Sequence, residues 1–100
     1  MDPVKSSVNR SQLYTLHNDS PVVVAGFFNG KNTFIEILDA AVNRMTIGGR
    51  TLGDDQKVTA YEALAGMTIN SAWQSKSDNI KGSITVGKYA DLIILSANPI

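Results

Sequence analysis

Gly82-Ser83-Ile84-Thr85-Val86-Gly87-Lys88-Tyr89-Ala90-Asp91-Leu92-Ile93-Ile94-Leu95 is the stretch that decides the fold. Its β-branched and aliphatic residues fall in two short runs around Val86-Gly87. Such runs suit pleated, half-buried positions, so the pattern predicts two strands joined by a tight connection. Gly82 and Gly87 read as backbone geometry, and Gly87-Lys88 lacks the upstream glycine spacing of a phosphate loop. Asp91, set in an apolar run, is expected to have a structural role, accepting hydrogen bonds near the turn. Asn98-Pro99 closes the segment, and the polar residues 75–79 before it read as a linker.

Upstream the period changes from two to three or four. Thr59-Ala60-Tyr61-Glu62 fits a capping box, in which a threonine hydroxyl and a glutamate carboxylate each take an orphan backbone N–H. Ala63, Leu64 and Met67 supply the buried face of the helix behind it, and Gly66 permits close packing. A further helical turn or two is predicted over residues 69–75, with Tyr61 and Trp73 assigned to packing. Thr33-Phe34-Ile35-Glu36 is a second capping box, followed by Phe34, Ile37, Leu38, Ala41, Val42 and Met45 as one amphipathic stripe. Gly48-Gly49 is expected to end that helix. Residues 1–11 are polar, either a frayed end or a short helix.

Leu13-Tyr14-Thr15-Leu16 is a β-prone run stopped by Asn18-Asp19-Ser20-Pro21, a cluster of turn formers. It reads as a buried strand with His17 and Asp19 at its C-terminal end. Two residues apart on a strand, both side chains share a face. That strand end is where α/β sheets and barrels place catalytic groups. A carboxylate there can bind a metal and take a proton from metal-bound water. On spacing alone, the commoner role of Asp19 in such a pattern is to cap an ordinary turn. Phe27 and Phe28 lie in the loop that follows, either lining a substrate pocket or anchoring the loop to the core. The element order is strand, helix, helix and a β unit, which places the fold in the α/β class.

Composition excludes several functions. The chain has 100 residues, with nine Lys+Arg against nine Asp+Glu, so no basic stripe exists for nucleic-acid backbones. Without cysteine there is no disulfide, thiol nucleophile or Cys-based zinc site, and the single His17 precludes a multi-histidine site within these residues. No stretch reaches the roughly 18 apolar residues of a membrane span, and no apolar core follows the N-terminal charge, so a soluble, cytoplasmic protein is expected.

Ala63-Leu64, Thr68-Ile69-Asn70-Ser71-Ala72 and the run from Gly82 to Leu92 resemble the C-terminal signature of the amidohydrolase superfamily. Leu16-His17-Asn18-Asp19-Ser20-Pro21-Val22 is similar to an element of its amidohydrolase 3, formamide deformylase-like branch. The resemblance implies a metal-dependent hydrolase of C–N bonds on a distorted (β/α)8 TIM-like barrel with a composite β-sandwich. Residues 1–78 would be the last βα unit and C-terminal helices of that barrel, and residues 79–100 the strands returning to the sandwich. Asp19 matches the aspartate that touches the metal and activates the hydrolytic water. His17, with Phe27 and Phe28, falls to the substrate, an amide-type small molecule. The metal implied is divalent, zinc by expectation.

The family's HxH pair, its bridging lysine or glutamate and its two later histidines do not occur here, and the loop at residues 24–29 lacks the proline-rich form common in the branch. A barrel of this type needs roughly 250 residues. The expectation is therefore a C-terminal fragment, inactive alone and without bound metal. Its unpaired edges and apolar faces would drive self-association. The alternative is a stand-alone α/β module for binding or oligomerisation, with no catalysis.

Overall fold

The computed structural model describes residues 2–17, 34–46 and 48–100. Its elements are α1 (Val4–Asn9), α2 (Phe34–Asn43), a 3₁₀ turn (Asp54–Gln56), α3 (Ala60–Met67) and α4 (Ile69–Gln74). α3 begins as the sequence predicts. Glu62 N–H donates to Thr59 Oγ1 at 3.1 Å, and Thr59 N–H donates to Glu62 Oε2 at 2.7 Å. The reciprocal pair satisfies two N–H groups that the first turn leaves without helical partners. Thr68 then leaves helical geometry at φ −117° and ψ −91°, so α3 and α4 are separate helices with one residue between them.

The core gathers Val4 of α1, Leu38 and Ala41 of α2, Val58, and Ala63 of α3, with Val8, Tyr14, Leu16, Phe34, Val42, Leu64 and Met67 around it. Ala63 is fully buried, which suits its place at the crossing of α2 and α3. Within residues 2–11 the short-helix reading holds for Val4–Asn9, because α1 buries Val4 and is held by two long-range ties. Lys5 Nζ reaches Glu62 Oε1 at 2.9 Å, and Gln56 Oε1 accepts from both the N–H and the hydroxyl of Ser6.

α2 stops earlier than its apolar stripe suggests. Arg44, 4% exposed, takes a left-handed φ of +54°, and its guanidinium donates to Leu52 O at 2.7 Å and to Asp2 O at 3.0 Å. Those bonds turn the chain back before Gly48-Gly49. The two glycines sit instead in the turn of a small loop, closed by a single antiparallel bridge between Met45 and Thr51. Met45 therefore leaves the stripe and is exposed. The capping box at Thr33 lies outside the described residues.

The predicted strands are absent among the described residues. The turn at Val86-Gly87 is present, with Gly87 at φ +93° and Lys88 N–H donating to Thr85 O at 3.1 Å. On either side of it, however, Ile84, Val86 and Ile94 are almost wholly exposed, and no ladder joins the two runs. A two-stranded hairpin is marginal in water, and its remaining N–H and C=O groups need a neighbouring strand that no described residue supplies. The same holds for residues 12–17, which lie against α3 and α4 rather than in a sheet. The described residues are thus helices and irregular segments, and the strands of the α/β expectation are not found among them. Tyr61 and Trp73 are also mostly exposed, contrary to the packing role expected of them. Tyr61 lies two positions from Ala63, on the far side of α3 from the buried stripe. No described helix is long and apolar enough to cross a membrane.

Candidate functional site

The segment that leads to His17 is tied to α3 and α4 at regular intervals. The Tyr14 hydroxyl donates to Glu62 O at 2.7 Å, Leu16 N–H donates to Gly66 O at 3.2 Å, and Asn70 Nδ2 donates to Tyr14 O at 3.0 Å. Gly66 makes this approach possible. A Cβ there would stand 2.8 Å from Tyr14 Cε2 and 3.2 Å from Leu16 Cγ. His17 follows at once, exposed, at the end of the described segment. Asp19, Phe27 and Phe28, the other residues singled out from the sequence, lie outside the described residues.

Electrostatics around the tether centre on Glu62. The backbone N–H of Thr59 and then the Lys5 ammonium hold its carboxyl below the ordinary glutamate value, against a smaller opposing effect of burial. Burial first, and then the Glu62 charge, push the Tyr14 phenol up. For Glu62 the unfolded chain binds its proton at higher pH than the folded chain. Its contribution is therefore complete above about pH 4.5 and is lost as pH falls through the lower folded value. Denaturant midpoints measured down through that window should drop, and Glu62→Gln should flatten this acid limb. An acid limb unchanged in Glu62→Gln would refute the assignment.

Lys88 is a residue whose role its sequence did not reveal. Its ammonium donates to Asp78 O, to Ser83 Oγ at 2.7 Å and to Lys81 O at 3.4 Å, pinning the 78–83 turn to the one at 85–88. Spacing could not show this, because the acceptors are mostly backbone carbonyls. Asp91 is exposed and needs no buried partner; it sits at an open groove of about 600 Å³ between α4 and the C-terminal residues, with Lys81, Ser71 and Leu92. No group of three or more His, Asp or Glu among the described residues could hold a metal ion. The described residues therefore do not by themselves fit the divalent metal that the resemblance implies.

Residues 2–100 match the model of the amidohydrolase family. The chain belongs to that family. An N-substituted formamide deformylase from Arthrobacter pascens is 37% identical over 98 residues, which are 98% of this chain and 17% of that protein. The chain thus spans less than a fifth of the length of this relative. No solved structure matches it.

Proposed function

We propose that these residues form the C-terminal part of a metal-dependent hydrolase that cleaves the C–N bond of an amide, in particular an N-substituted formamide. The observation that carries this reading is the 37% identity to a formamide deformylase, sustained over 98% of the chain. In this reading Asp19 is a metal ligand and the general base. Its carboxylate takes the proton of the water that attacks the carbonyl carbon, and returns it to the amine nitrogen as the C–N bond breaks. His17, Phe27 and Phe28 hold the substrate. The remaining ligands of the divalent metal, zinc in this reading, come from outside these residues, so the chain alone is inactive.

The helices α2 to α4 then pack on the outside of a (β/α)8 barrel, and residues 79–100 supply strands of a β-sandwich. The exposure of Ile84, Val86 and Ile94 supports this, because β-branched residues left in water are ones that a neighbouring sheet could cover. In isolation the same surfaces favour self-association. The test is release of formate from N-substituted formamides by the native polypeptide that carries these residues. Formate and amine in equal amounts are expected, and absence of both across such substrates would overturn the reading.

A further inference from the structure

The Thr68-Ile69-Asn70-Ser71-Ala72 motif takes no part in the chemistry proposed above, yet its central residue holds the chain that leads to His17. The groups on the helical side come from both helices flanking the break at Thr68, the Glu62 and Gly66 carbonyls from α3 and the Asn70 amide from α4, and all three reach residues 14–16. The Gly66 carbonyl accepts twice, from Leu16 N–H at 3.2 Å and from Ser71 Oγ at 2.8 Å. α4 therefore braces the acceptor that fixes Leu16. Leu16 in turn is one Cα step, about 3.8 Å, from His17.

We propose that Gly66 and Asn70 form a latch on Tyr14 and Leu16, and that Asn70 is a positioning residue for His17. The latch stands on the hydrogen bonds alone; the substrate role of His17 rests on the function proposed above. Gly66 provides the notch that the Tyr14 ring fills. Asn70 then fixes the Tyr14 carbonyl and so the direction in which the chain leaves toward His17. A residue in this place affects substrate affinity through His17 and does not touch the reacting atoms.

Within these 100 residues His17 is the single histidine, and in the native polypeptide its ring signals are assigned by comparison with His17→Gln. Amide hydrogen exchange and the His17 ring resonances are to be measured by NMR in the wild type, Asn70→Ala and Tyr14→Phe. Loss of one hydrogen bond to Tyr14 O should speed exchange of Leu16 N–H about fivefold to tenfold. Exchange of Ala63 N–H, which donates to Thr59 O at 2.9 Å, should stay the same, and the His17 ring signals should move. Tyr14→Phe, which keeps the ring in the notch, should act in the same direction by a smaller factor. Leu16 exchange that is unchanged in both variants, or that rises only together with Ala63, overturns the latch. In the native polypeptide, Asn70→Ala should raise KM for an N-substituted formamide about fivefold with kcat within about twofold, the loss of one hydrogen bond's worth of ordering. An unchanged KM beside accelerated Leu16 exchange overturns the positioning of His17. Full activity in Asp19→Asn would instead overturn the proposed reaction and leave the latch standing.

Discussion

Gly82→Ala is expected to undock the C-terminal residues from α4 and to lower stability by about 2–4 kcal/mol, the sum of an overpacking and a backbone contribution. Gly82 has φ +89°, and a Cβ built there would stand 2.6 Å from Ala72 Cβ, 3.1 Å from Ile69 Cα and 3.2 Å from Thr68 O. Ala72 is buried, and the other two atoms are backbone at the break between α3 and α4. None of them is the far end of a flexible side chain, so the strain is relieved only by moving the whole segment. Gly87→Ala is the matched control. It carries a similar φ of +93° with nothing within 4 Å of the new methyl group, and so reports the conformational part alone, about 1 kcal/mol. Denaturant midpoints should separate the two variants clearly, and trypsin should cut faster after Lys81 and Lys88 in Gly82→Ala. Equal losses in both would show that the contact with Ala72 contributes nothing.

Asp19→Asn is expected to reduce kcat by about 10²- to 10⁴-fold, the usual worth of a general base. At about 1.36 kcal/mol for each factor of ten, that is roughly 3–5 kcal/mol of transition-state stabilisation. The amide keeps the shape of the carboxylate and loses both the negative charge and the ability to accept a proton at neutral pH. The competing role, a turn cap in Asn18-Asp19-Ser20-Pro21, predicts the opposite pattern: stability falls by about 1 kcal/mol or less while kcat is unaffected. Measuring kcat and the denaturant midpoint together on the native polypeptide separates the two.

What the sequence made legible follows from where the deciding forces lie. The capping box at Thr59 and Glu62 was readable because both partners are three residues apart and the bonds are local. The notch at Gly66 was readable as close packing, although which residue fills it was not. Tyr14 lies 48 residues from its acceptor Glu62, a distance that no period encodes. The helix end at Arg44 was hidden for the same reason, since Asp2 and Leu52 impose it from outside α2.

The strands fail differently. Ile84, Val86 and Ile93 have the composition of a sheet, but composition states a preference for pleated surroundings and not the presence of a neighbour. Among the described residues that neighbour is missing, and the runs stay unpaired. The family, by contrast, was legible, because the motif from Gly82 to Leu92 and the helix motif at Thr68 to Ala72 occur in the right order. Of the candidate site, His17 alone can be placed in the structure, and its surroundings were not foreseen. Asn70 stood in the motif that carried the resemblance, and its amide proved to bond the backbone of Tyr14.

We propose that this amidohydrolase-family chain works as part of a larger hydrolase. The most direct measurement is the intact mass of the native polypeptide captured from its source cells with an antibody raised against residues 48–100. A species several times heavier than the 10.7 kDa of these residues is the expected result. A native species of about 10.7 kDa would contradict the account and return Asp19 to the role of a turn residue.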